Sequence, residues 1–253
     1  MKMTKRIAIA GAFIALACGA IPAAAAVPGY IAQAVADPGR PSEDTGRDAA
    51  RHPGDLMAFA GLKPGDKVAD LMPGAGYFTR VFSKAVGPKG HVYAVFPKFM
   101  AGFETKEVAS IEGVAADAQY GNVTMVTDPD TEFQTPEKLD LVWTSQNYHD
   151  LQFGMSHDQI IAYDKMILSS LKPGGVFLVI DHVAAPGTGW TVARSLHRID
   201  PEAIKADMAA AGFVLEAHSD LLRNPADPHT ALVFDASIRG HTDQAVFKFR
   251  RPR

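Results

Sequence analysis

From residue 51 onward, apolar positions alternate between a helical spacing and short continuous runs, with Gly- and Pro-containing turns between them. The spacing predicts a helix over 55–60, a turn at KPGD and a strand over 67–71. A helix over 78–86 stops at GPKG, where glycines end helices readily, and HVYAVF (91–96) is the next strand. The rhythm continues with a helix over 106–120, strands at NVTMVT (122–127) and KLDLVWTS (138–145), and a helix over 158–171 stopped by KPGG. VFLVIDHV (176–183) is almost wholly apolar, as strands buried on both faces of a parallel sheet are. A helix over 201–211 carries Pro in its first turn, where the missing N–H has no helical partner to lose. FVLEAHSDLL (213–222) and AVFKFR (245–250) complete the pattern as strands. Strands alternating with helices predict an α/β fold, a mostly parallel sheet with helices on both faces. The last two strands are separated only by a loop, which suits an antiparallel hairpin at one sheet edge. No internal repeat and no second-domain boundary appears after residue 50.

The first residues follow a different pattern. MKMTKR sets Lys2, Lys5 and Arg6 ahead of the apolar run IAIAGAFIALACGAI, which breaks at Pro22 and enters AAAAVPG. That is the pattern of a secretory signal peptide over residues 1–26. The run is short and Ala/Gly-rich beside a membrane span of about 20 residues. An uncleaved anchor, or a lipoprotein with Cys18 as acceptor, are the alternatives. Cleavage would remove Cys18, the single cysteine, and leave a periplasmic or secreted chain with no disulfide and no membrane segment. Residues 27–50, rich in Pro, Gly and charge, read as an N-terminal arm or linker, and residues 51–253 as the domain. About 225 mature residues suffice for one sizeable core. The formal charge is -3, with no basic run before the terminal KFRRPR. Nucleic acid therefore finds no electrostatic footprint, and the partner implied is a small molecule. The oligomeric state is not readable from these features.

In VADLMPGAGYFT (68–79) an apolar strand ends in Asp70 and passes through Pro73, Gly74 and Gly76 into a helix. Glycines let the backbone turn tightly and approach a ligand, and the helix N-terminus adds unpaired N–H groups. Together with GHVYAV, NVTMVTD, KLDLVWTSQNYHDL and LKPGGVFLVID, this order resembles the class I S-adenosylmethionine-dependent methyltransferases over residues 55–183. More narrowly, LHRID, RNPADPHT, IRGHTD and FKFRRP make the chain similar to a group of exported, methyltransferase-like bacterial proteins. The resemblance implies a Rossmann-like, mostly parallel seven-stranded sheet with an antiparallel edge strand. It implies S-adenosylmethionine as cofactor, held by Asp70, Pro73, Gly74, Gly76, Asp128 and Asn147, and methyl transfer to a small, aromatic-type acceptor. Two positions depart from the family. Phe96 stands where an acid normally binds the ribose hydroxyls, and Pro73 removes one loop N–H.

Polar residues gather in the sequence after the fourth and fifth predicted strands. Tyr148, His149, Asp181, His182 and His197 are the candidates for proton transfer, since a His beside a carboxylate makes an acid/base pair near neutral pH. Asp200 before Pro201 reads equally as a helix cap. IDHVAAPG (180–187) is similar to the metal-binding segment of catechol O-methyltransferases, with His182 in place of Asn and Ser145 in place of an acid. Asp181 with His149 or His182 is the other metal-binding option, so the metal remains open. Arg223, Asn224, Asp227, His229, Arg239, His241 and Asp243 mark a loop that either closes over a pocket or is pinned by salt bridges. Phe96, Phe99, Phe103, Trp143, Tyr148 and Trp190 either line an apolar pocket or fill the core. Three functions follow: methyl transfer from S-adenosylmethionine, a cofactor-independent lyase or hydrolase acting on small phenolic compounds, or non-catalytic binding of a small molecule.

Overall fold

The computed structural model describes residues 26–103, 105–128 and 132–253. Apart from Ala26, the expected signal segment lies outside the described residues. The chain runs α1 (Gly29–Val35), α2 (Ser42–Thr45), α3 (Asp48–Arg51), α4 (Pro53–Ala60), β1 (Lys67–Leu71), α5 (Tyr77–Val86), β2 (His91–Pro97), α6 (Lys98–Phe103) and α7 (Thr105–Ala116). It continues through β3 (Val123–Asp128), β4 (Leu139–Ser145), α8 (His157–Ser170), β5 (Leu171–His182), α9 (Ala193–Leu196), α10 (Pro201–Ala211), β6 (Val214–Ser219) and β7 (Gln244–Arg250).

The sheet is seven-stranded in the order β3-β2-β1-β4-β5-β7-β6. β7 alone is antiparallel to its neighbours, lying between β5 and the edge strand β6. Alternate residues of each strand point to opposite faces. Ala69, Val142, Phe177 and Val179 pack against Tyr163 and Ile167 of α8 and Met208 of α10. Val68, Leu141, Trp143 and Leu178 pack against Ile31, Leu56, Val81 and Phe82 on the other face. Helices thus cover both faces, and the strand order switches between β1 and β4, the place at the strands' carboxyl ends where open α/β sheets generally take ligands.

Local signals set the helix ends. α8 starts in a capping box between Ser156 and Gln159, and α10 starts at the Asp200 cap with Pro201 in its first turn. Gly212 ends α10 at φ 99°, a conformation a Cβ would oppose. The helix expected over 106–120 instead stops at Ala116, because the Asp117 side chain caps a separate 3₁₀ turn, Ala118–Tyr120.

Residues 29–51 form three short helices packed over α5, which their composition does not announce. Ile31 is fully buried, Arg40 pairs twice with Asp48, and Tyr77 donates to Asp48 at 2.6 Å. Asp44 accepts from both Arg47 and Arg80 at 2.9 Å. Among the described residues, no helix is long and apolar enough to cross a membrane.

Candidate active site

The turn from β1 to α5 has the backbone that its sequence demands. Gly74 and Gly76 sit at φ 55° and 91°, and Met72 takes φ 52° despite its side chain. A Cβ on Gly74 would meet nothing within 4 Å, whereas one on Gly76 would come within 3.0 Å of the Ile111 Cδ1 atom. Arg80 and Ser110 both donate to the Ala75 carbonyl, which holds the turn against α5 and α7. Asp70 is buried and accepts from Thr79 Oγ1 at 2.6 Å. Loss of water raises its carboxyl to about 7, against the pull of that bond and of Arg51. Asn147 donates to the Met72 carbonyl and accepts from Thr144, so it fastens the ends of β1 and β4 together. Arg51, the last residue of α3, lies over the rings of Tyr77 and Phe78 at 4.4 and 4.9 Å and donates to Ser145 Oγ at 3.1 Å. Burial brings it down to about 10.

Asp128 and Phe96, at the ends of β3 and β2, are both engaged within the protein. Both Asp128 oxygens accept from the Gln134 N–H, at 3.1 and 3.2 Å, and burial raises this carboxyl to about 7. Phe96 has no exposed surface and packs with Ala94 and Ile111, with Val108 and Met125 against them. A ribose diol seeks acceptors, and a phenyl ring in an apolar cluster offers none. At its ribose end the site does not fit S-adenosylmethionine, although the glycine turn and Asp70 are in place.

A second group of side chains meets at the ends of β4 and β5. The chain leaves β4 into a 3₁₀ turn, Tyr148–Phe153, in which the neighbouring Tyr148 and His149 are both buried but meet different partners. Tyr148 turns into the core, where its hydroxyl donates to Asp164 Oδ2 at 2.7 Å. Burial and the nearby carboxylates push its ionisation well above the ordinary tyrosine value, and its hydroxyl is committed to Asp164 inside the core. His149 turns the other way and is also fully buried. Its Nδ1 lies 2.8 Å from Asp181 Oδ1, and its backbone N–H donates to Asp181 Oδ2 at 2.8 Å. Its Nε2 lies 3.0 Å from Asp150 Oδ1 and 3.2 Å from His197 Nδ1, and His197 Nδ1 is 3.1 Å from that same Asp150 oxygen. Burial works to lower His149, but Asp181 and Asp150 outweigh it and hold the imidazole at about 10. Burial would raise Asp150, yet its bonds to the two histidines bring it down to about 2.

His182 belongs to a different contact. Its Nδ1 meets Thr242 Oγ1 at 2.7 Å, and burial lowers it to about 4, so it is neutral. Its ring centre lies 6.1 Å from that of His149. Phe153 stacks on His197 at 5.4 Å and Phe234 approaches it at 4.9 Å; both phenyls are exposed.

The Arg/His-rich loop between β6 and β7 is pinned rather than open. Arg198, fully buried, pairs twice with Asp227, while Asp243 accepts from Arg223, His229 and the Asn224 N–H. A cleft of about 440 Å³ beside this loop is lined by Asp200, Lys205, His218, Arg223 and His229, away from His149. Most of the aromatic candidates fill core: Trp143 packs between Phe78 and Phe82, and Trp190 donates to Asp207 at 2.8 Å. Phe99 is partly buried against the core cluster that contains Trp190. Sequence reasoning missed Arg51 and the bridging position of Asp150; the adjacent His149-Asp150 pair after a strand was the available signal for the latter.

No family model matches the sequence, and no curated protein matches it. Solved structures share the fold. A SAM-dependent methyltransferase from Aquifex aeolicus is similar at 18% identity over 78% of this chain and 88% of that one, with a TM-score of 0.51. The [4+2]-cyclase SpnF is similar at 18% identity over 81% of each chain, with a TM-score of 0.59. The glycopeptide N-methyltransferase MtfA complexed with sinefungin is similar at 15% identity over 82% of this chain and 87% of that one, with a TM-score of 0.55. The fold is therefore the class I methyltransferase fold that the sequence motifs resemble.

Proposed function

We propose that the chain is an enzyme that breaks a bond to oxygen in a small phenolic molecule, as a lyase or hydrolase, without S-adenosylmethionine. One observation carries this reading: His149, gripped by Asp181, aims its Nε2 at Asp150 and His197 where open α/β sheets take ligands. With its ionisation held at about 10, His149 is an imidazolium at neutral pH and presents a proton at that point. It serves as the general acid: Nε2–H protonates the departing oxygen, and Asp181 keeps Nδ1–H and the ring in place as the charge is lost. His197, partly exposed beside it, is placed to take a proton from the substrate or from water. Phe153 and Phe234 offer faces for an aromatic ring. The same fold serves a [4+2]-cyclase, so the scaffold alone does not demand methyl transfer. Export, expected from the N-terminal residues, fits a reaction that draws on no cytoplasmic cofactor.

The experiment is turnover of a panel of small phenolic ethers and esters by purified chain with no added cofactor, followed by mass spectrometry. His149→Ala lowers the rate by about 10² to 10⁴, the ordinary worth of a positioned acid. Equal turnover in wild type and His149→Ala refutes the reading. A second reading, methyl transfer, rests on the open space over Gly74 and on the glycine turn beside Asp70. Saturable heat on titration with S-adenosylhomocysteine, and methylated product only with S-adenosylmethionine present, would favour it. Binding of phenols with no product would leave a binding protein.

A further inference from the structure

We propose that His149 Nε2, Asp150 Oδ1 and His197 Nδ1 form a three-ligand site for a divalent first-row transition metal ion, with zinc as the reference case. The inference rests on the reading that this cluster is the working site, and it changes the electrophile there from a proton to a metal.

The geometry is the first argument. The three atoms stand at 3.0, 3.1 and 3.2 Å from one another. Metal–nitrogen and metal–oxygen bonds of about 2.0–2.2 Å separate neighbouring ligands by about 2.9 Å at right angles and about 3.4 Å in a tetrahedron. All three separations fall inside that interval, so one ion about 1 Å off the plane of the triangle reaches all three atoms. Among the described residues, these are the one group of three side chains drawn close enough to share a metal in this way.

Proton accounting is the second. In the metal-free cluster the Nε2–H of an imidazolium His149 faces both an Asp150 carboxylate oxygen and His197 Nδ1. If His197 Nδ1 carries a proton it meets that Nε2–H as donor facing donor, and if it does not it meets Asp150 Oδ1 as acceptor facing acceptor. A cation shared in place of the Nε2 proton satisfies all three contacts at once.

The surroundings supply the third. Ligating histidines commonly give their other N–H to a carboxylate, which fixes the tautomer and orients the ring. Asp181 does this for His149 and is itself held by the backbone N–H groups of His149 and His182. His149 is buried, while Asp150 and His197 keep side-chain exposures of 15% and 25%, so one side of the triangle remains open for water or substrate. Two imidazoles and one carboxylate suit zinc, iron, cobalt or manganese rather than calcium or magnesium. A metal there polarises a substrate oxygen or lowers the ionisation of bound water, from the point where the His149 proton would otherwise act.

The test uses the full chain, stripped with a chelator and titrated with Co²⁺ while its d–d absorption and binding heat are recorded. One equivalent is expected to bind, to be displaced by Zn²⁺, and to be lost in His197→Asn, which keeps a residue tolerant of the left-handed backbone. Asp181→Asn is expected to weaken binding about 10- to 100-fold while leaving the three ligands in place. No saturable Co²⁺ binding by folded wild type, or binding unchanged in His197→Asn, overturns the proposal. Binding without turnover of any phenol supports the metal site and removes the lyase reading; turnover by stripped protein that binds no metal does the reverse.

Discussion

Truncation of Phe96 to alanine tests whether the end of β2 is core or crevice. The phenyl has no exposed surface and is enclosed by Ala94 and Ile111, with Val108 and Met125 packed alongside. Phe→Ala changes at such positions cost about 3–5 kcal/mol through lost transfer free energy and the cavity left behind. Against a total stability of about 5–15 kcal/mol, that is a large share. With a urea dependence of about 2–3 kcal/mol per molar for a chain of this size, the unfolding midpoint falls by about 1–2.5 M. Equilibrium unfolding followed by tryptophan fluorescence measures the shift, because Trp143 lies in the core. Calorimetry with S-adenosylhomocysteine on the same variant is expected to show no new affinity. A loss below about 1 kcal/mol, or affinity gained on truncation, would mean that the ring lines an open cofactor crevice, and the argument against the ribose fit would fall.

Two further outcomes follow from buried carboxyls. Asp70 is raised from 3.8 to about 7, so its contribution to stability is fully present below about pH 4 and is lost as pH rises through about 7. From pH 6 to 8 this group alone removes about 1.4 kcal/mol; Asp70→Asn keeps an acceptor for Thr79 and does not titrate, so the difference between the two proteins in thermal melts isolates the slope. Identical pH slopes would contradict the assignment. Tyr148→Phe leaves the buried Asp164 carboxyl, whose Oδ1 already lacks a partner, with no hydrogen bond at all. A loss of about 1–3 kcal/mol is expected, with turnover per folded molecule unchanged; a fall in turnover comparable to that of His149→Ala would return Tyr148 to the chemistry.

The strands were legible because burial on both faces leaves a nearly continuous apolar signature, as in Val176–Ile180, and the turns between them carry glycine and proline where the backbone needs them. The helices of residues 29–51 were not, because Arg80–Asp44 and Tyr77–Asp48 join residues far apart in the chain, and local composition contains no trace of them. The site divides the same way. His149 and Asp181 were visible as candidates at two strand ends, but their pairing depends on the adjacency of β4 and β5. Tyr148 and His149 are neighbours of equal promise in the sequence. Only the folded turn, set between β4 and α8, shows that His149 meets Asp181 while Tyr148 meets Asp164. Phe96 was visible as a departure; that it is sealed under α7 is a fact of packing.

His197 ends α9 in the left-handed conformation, at φ 53°. Glycine would relax that backbone by about 1 kcal/mol, while a side chain there works against the fold. Yet the imidazole it carries is what closes the triangle with His149 and Asp150. Selecting variants for thermal resistance alone would therefore favour glycine at this position and discard the proposed site with it. Any engineering of the scaffold has to screen for ligand or turnover alongside heat.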